Sequence, residues 1–138
     1  MDPLGVILRW THIASMSFLI GGAIYARLVL LPSLDSLAEA ERANLADRIA
    51  ARLRAWVAIA IGALLISGLI NLMRKTGLPP GYHMWFGIKM LLAFHVIAVS
   101  LLLGRAGVDA AKRRRWLSGI VASGLAVLAV SAWLRSMQ

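Results

Sequence analysis

Cysteine is absent from this chain, which removes disulfide frameworks, zinc ribbons and Cys-ligated clusters together. Acids are scarce: six Asp and Glu stand against fifteen Lys and Arg. All six lie in tails and connections (Asp2, Asp35, Glu39, Glu41, Asp47 and Asp109), so a proton pump built on a membrane carboxylate has no residue to run on. No Ser/His/Asp set, paired carboxylates or phosphate-binding glycine loop is present, and hydrolytic chemistry has no support. The charge of +9 raises nucleic-acid binding, but the basic residues fall between apolar runs without an aromatic-rich basic face. That is not a nucleic-acid footprint.

What the chain has in abundance is apolar sequence. Its 138 residues are 60% hydrophobic, with a mean hydropathy of +0.78, above the roughly half expected of a soluble domain. Four runs stand out: Trp10–Leu31, Ala55–Met73, Tyr82–Leu103 and Trp116–Leu134. Each is close to the ~20 residues that cross a ~30 Å hydrocarbon core as a helix. With no water there to satisfy the backbone, helices are the natural form. Trp10, Trp56, Trp85, Trp116 and Trp133 sit near run ends, as interfacial anchors do. MDPLGVILRW has no basic stretch before its apolar part and reads as the start of a retained helix, not as a signal peptide.

The expected fold is therefore all-α: one integral membrane four-helix bundle, up-down-up-down, over residues 1–138, with helices near 4–31, 37–73, 82–104 and 110–136. Pro32 is expected to end the first helix, and SLAE (Ser36 to Glu39) to open the second as a capping box. Leu45, Ile49 and Leu53 then recur at helical spacing among arginines, an amphipathic cytoplasmic extension before the second transmembrane segment. TGLPPG breaks the chain before the third helix. Ser17 with Gly21, Ala58 with Gly62 and Gly119 with Ser123 offer small-residue faces for close helix packing. The loops after helices one and three carry nine Lys and Arg and the opposite side four. The positive-inside rule puts the two basic loops in the cytoplasm and both termini outside.

Polar side chains inside a bilayer are costly and by default mark a site. The candidates are His12, Arg27, Asn71, His83, Lys89 and His95, with Arg9 at the interface. Arg27 lies 17 residues after Trp10, about 25 Å along the helix at ~1.5 Å per residue, deep enough to snorkel to phosphates or meet a cofactor carboxylate. His12 is two residues past Trp10 and Lys89 four past Trp85, so the two share a depth to within about one turn. His95 is near the bilayer middle. His83, Lys89 and His95 are spaced by six residues, a rotation of about 120° each time, so they do not converge on one pocket.

Imidazole ligates haem iron and copper. For haem, His12 with Lys89 or His95 supplies ligands, and Arg9, Arg74 or Lys75 meets propionates. For copper, Met16, Met84 and Met90 accompany His12 and His95. The plainer alternative is that the histidines only hydrogen-bond neighbouring helices, and Lys89 is a buried cation.

RWTHIASMSFLIGGAIYARLVLLP resembles the first helix of the HemJ-type protoporphyrinogen oxidases and the related CopD-type copper-resistance membrane proteins, through His12, Gly21 or Gly22, Tyr25, Arg27 and Leu28. MWFGIKMLLA resembles the third-helix motif of the same families, through Trp85, Gly87 and Lys89. The resemblance implies a four-helix bundle holding haem b on a helix-one histidine, here His12, with Lys89 as the motif's lysine. Tyr25 and Arg27 stand one residue closer than in the HemJ pattern, and its further histidines have no counterpart. The leading expectation is a haem b protein of the bacterial cytoplasmic membrane, working in electron transfer or haem-linked redox chemistry with a membrane redox partner or larger complex. Copper binding or uptake is the alternative, and a cofactor-free structural subunit of a larger membrane complex the third. The bilayer is the surrounding partner in each case.

Overall fold

The computed structural model describes residues 2–77, 79–105 and 107–137. Four helices, each long and apolar enough to cross a membrane, account for most of it: α1 Pro3–Leu34, α2 Glu39–Met73, α3 Tyr82–Leu103 and α4 Ala110–Ser136. They form an all-α bundle in which α1 packs on α2 and α3 on α4, with α1 against α4 and α2 against α3 closing the ring. Short connections make each helix antiparallel to the next. One end of the bundle gathers the α1–α2 and α3–α4 connections and their arginines; this is the basic end.

Helix α1 runs through Pro32 instead of stopping there, and its backbone shows why it can. Proline lacks an N–H and its ring crowds the carbonyl four residues back, which breaks a regular α-helix. Here Ala26–Leu30 widen into a π-helical turn, with the Leu31 N–H bonded to the Ala26 carbonyl. The wider turn makes room for the ring, and the helix continues to Leu34. The SLAE capping box does not form either. Ser36 donates back to the Ser33 carbonyl at 3.1 Å, and α2 starts at Glu39 with Ala38 at its cap and no side-chain bond there. Asp2 and Asp109 do cap, accepting from the N–H groups of Leu4 and Lys112.

At 35 residues α2 is about 52 Å long, some 20 Å more than the hydrocarbon core. Its first turns therefore project at the basic end, as an unbroken continuation of the spanning segment. Two buried clusters hold the bundle: Leu19, Ala60, Ile61 and Leu64 between α1 and α2, and Ala23, Val96, Leu117 and Ile120 between α1, α3 and α4. Of the expected small-residue faces, Gly21 and Gly62 meet open space. The close approach comes from Gly124, where an added Cβ would stand 2.9 Å from Cγ1 of Ile20. Gly119 and Ser123 do lie at a contact, against the ring of His95.

Ion pairs gather at the two ends. At the basic end Arg113, with a side chain only 9% exposed, pairs with Asp47 at 3.1 Å, and Asp35 takes Arg42 at 3.6 Å and Arg114 at 3.5 Å. Arg54 donates from Nε and Nη2 to the Gly104 carbonyl at the end of α3. At the opposite end Arg74 pairs with Asp2, Lys75 donates to the Tyr82 hydroxyl at 2.6 Å, and Trp85 lies beside Trp133 at 6.1 Å.

Candidate functional site

The polar residues expected in the bilayer do not gather in one place. His12 faces α2. Its Nδ1 lies 3.2 Å from the Ser67 hydroxyl oxygen, and its Cε1 would be 3.1 Å from a Cβ at Gly68. Only a residue without a side chain at position 68 admits the ring so closely. Ser67 is 1% exposed, and its hydroxyl approaches the Ala63 carbonyl at 2.6 Å and the Leu64 carbonyl at 3.2 Å. A hydroxyl has one proton to give, and the shorter contact takes it. The Ser67 oxygen can then only accept from His12, which places the proton of the neutral ring on Nδ1. Nε2 is left with a bare lone pair. A hydrogen bond donated by one ring nitrogen, which leaves the other with its lone pair free, is how metal-ligating histidines are held.

Lys89 enters the same region from α3, half-buried. Its charge and that of Lys75 both reach His12. Lys89 has no hydrogen bond or ion pair among the described residues. The acid at this end, Asp2, is engaged by Arg74. The surroundings of His12 are thus cationic, with one lysine uncommitted. Arg9 lies on the exposed side of α1 at the same end.

Below the imidazole the bundle is closed. Met16, Leu19, Ile20 and Leu64 meet Ala93, Val96, Gly124 and Val127 around a void of about 10 Å³, at most marginal room for a single water. That void is far too small for a ligand bridging His12 and His95. Nor do the methionines gather on His12: Met16 packs into the α1–α2 cluster, while Met84 and Met90 are exposed on α3.

His95 belongs elsewhere. It sits exposed on the bundle surface, with Nδ1 2.9 Å from the Ser123 hydroxyl of α4. His83 is exposed at the start of α3. Arg27, carried on the π-helical turn, donates from Nε to the Ser118 hydroxyl of α4 at 2.8 Å, and Ser118 passes its own proton to the Arg114 carbonyl at 3.0 Å. Fifteen residues separate Arg27 from His12, about 22 Å of helix. The structure therefore joins His12, Lys89 and the outer cations, and leaves His95 and Arg27 apart from them.

Ser67 and Gly68 are the site residues that sequence reasoning passed over. A signal for them existed. Both are small, adjacent and inside an apolar run, and Ser67 lies six residues from the end of α2, roughly 9 Å in depth and comparable with His12 on α1. A serine at matching depth is the natural partner for a membrane histidine.

No family model, curated protein or solved structure matches the chain.

Proposed function

We propose that this membrane bundle holds haem b on His12 and works in electron transfer or haem-linked redox chemistry. The observation that carries the reading is the hydrogen bond from His12 to Ser67, which leaves Nε2 as the lone-pair nitrogen. The donor chemistry fits an axial imidazole. Lys89 and Lys75 are the cations close to the ring, and with Arg9 they suit the propionates of such a ligand. When bound, the haem supplies one-electron chemistry. The chain's own residues do the rest: Ser67 fixes the ring's tautomer and rotation, Gly68 lets the ring seat, and the lysines offset the ligand's negative charge. On this reading His95 and Arg27 are not ligands, and the chain sits in a bacterial cytoplasmic membrane with both termini outside.

Absorption spectroscopy of protein purified from haem-replete membranes tests this. A Soret band that survives His95→Ala and disappears in His12→Ala is the expected result. A colourless protein carrying stoichiometric copper supports the copper reading instead, and a colourless, metal-free one a structural subunit.

A further inference from the structure

A large cavity lies away from His12, towards the basic end. It has a volume of about 1050 Å³ and opens sideways from the bundle at the basic end. Its walls come from α1 between Ser17 and Leu34, the projecting part of α2, the end of α3 and the start of α4. Those α1 residues span about 25 Å, comparable with one leaflet of a bilayer, half of a ~30 Å core plus its headgroup layer. The π-helical turn and the continuation past Pro32 extend this wall: Leu30, Leu31 and Leu34 line the cavity opposite Ile49 and Leu53 of α2. A helix that stopped at Pro32 would have lost Leu34 from this wall.

The lining is mostly apolar away from the basic end, with Ser17, Tyr25 and Ser100 its polar members, while at the basic end Arg52, Arg54, Arg105 and Arg113 border it and no acid does. Two of the four are committed within the chain. Arg113 is bound to Asp47, and Arg54 is fixed by the Gly104 carbonyl. The side chains of Arg52 and Arg105 are exposed and make no hydrogen bond or ion pair among the described residues. Guanidinium groups present donors in a fork that matches phosphate oxygens. An apolar trough one leaflet long, closed by uncommitted arginines at the headgroup level, has the shape and charge of one molecule.

We infer that this cavity is a binding site for an anionic phospholipid of the surrounding leaflet. Its acyl chains lie along α1 from Leu34 towards Phe18, and its phosphate sits between Arg52 and Arg105. The site is independent of the haem reading, since it shares no residue with His12, Lys89 or Ser67.

The test places the full chain in nanodiscs of equimolar phosphatidylglycerol and phosphatidylcholine and reads retained lipid by native mass spectrometry. The wild-type protein is expected to keep one phosphatidylglycerol in clear preference. A basic residue at an anionic lipid surface is worth roughly a fivefold change in affinity, so Arg52→Gln with Arg105→Gln should lower the preference about twenty-five-fold. Gly22→Trp places a large side chain in the cavity, where a Cβ at Gly22 meets nothing within 4 Å, and should end retention of either lipid while the helical circular dichroism is unchanged. Equal retention of the two lipids by the wild type, or an unaltered preference in the double arginine variant, overturns the inference. So does a lipid-free dimer, which would show a second copy covering the cavity.

Discussion

Gly124→Ala is a small change that this packing makes costly. The new Cβ would stand 2.9, 3.2 and 3.3 Å from Cγ1, Cγ2 and Cδ1 of Ile20. Cγ1 and Cγ2 are the branches of a β-branched residue held to one main rotamer in a helix, and Ile20 is 4% exposed, so the side chain has nowhere to turn. Helices α1 and α4 must part instead. Overpacking of this kind costs about 2 kcal/mol, and the helix propensity gained over glycine returns about 1 kcal/mol, leaving a net loss near 1 kcal/mol. In an Ile20→Ala background the three contacting atoms are gone. There the same substitution keeps its propensity gain and fills part of the space vacated by isoleucine. It should stabilise by about 1 kcal/mol, a coupling of about 2 kcal/mol between positions 20 and 124. Reversible unfolding in mixed micelles, followed by circular dichroism for the four proteins of the cycle, measures it. An equal effect of Gly124→Ala in both backgrounds refutes the contact.

Four further predictions rest on the polar contacts. Nitrogen NMR of ring-labelled protein should find the neutral His12 imidazole protonated at Nδ1 and bare at Nε2; the opposite tautomer would show that Ser67 donates to the ring. Ser67→Ala should weaken the α1–α2 contact by about 0.6 kcal/mol and no more than about 1.7 kcal/mol, the range of interhelical hydrogen bonds in membranes, read by the same unfolding assay. Asp47→Ala strands the mostly buried Arg113 guanidinium and should cost about 2–3 kcal/mol, somewhat less than a fully buried pair because Asp47 is partly exposed. Arg114→Gln removes an exposed pair with Asp35 and should change stability by under ~0.5 kcal/mol.

Lipid reconstitution and haem spectroscopy bear on separate ends of the molecule, and the basic-end ion pairs explain why these behave differently. Arg113, Arg54, Arg42 and Arg114 tie four chain segments together there. Arg52 and Arg105 remain available. At the opposite end Asp2 is taken by Arg74, and the side chains of Lys89, Arg9 and Arg135 make no hydrogen bond or ion pair among the described residues.

Four membrane-crossing helices were legible in the sequence because hydrocarbon imposes a single demand, about twenty apolar residues in a self-satisfied backbone. The starts of α3 and α4 were legible for local reasons as well: Gly81 at φ +83 turns the chain into Tyr82, and Asp109 caps the next helix. The wheel separated His83, Lys89 and His95 because a regular helix has a regular rotation. Pro32 was misjudged for the opposite reason. Whether a proline ends a helix or widens it depends on whether tertiary neighbours reward its continuation, and here Leu31 and Leu34 have packing to gain. The same holds for glycine: Gly21 and Gly124 look alike in sequence, and only the docking of α1 on α4 puts Ile20 over one of them. Composition determined that this chain is a membrane bundle and which side chains are out of place in lipid. Tertiary structure decided which of those side chains meet, because pairing across helices depends on the rotation of each helix about its axis, which periodicity alone leaves free.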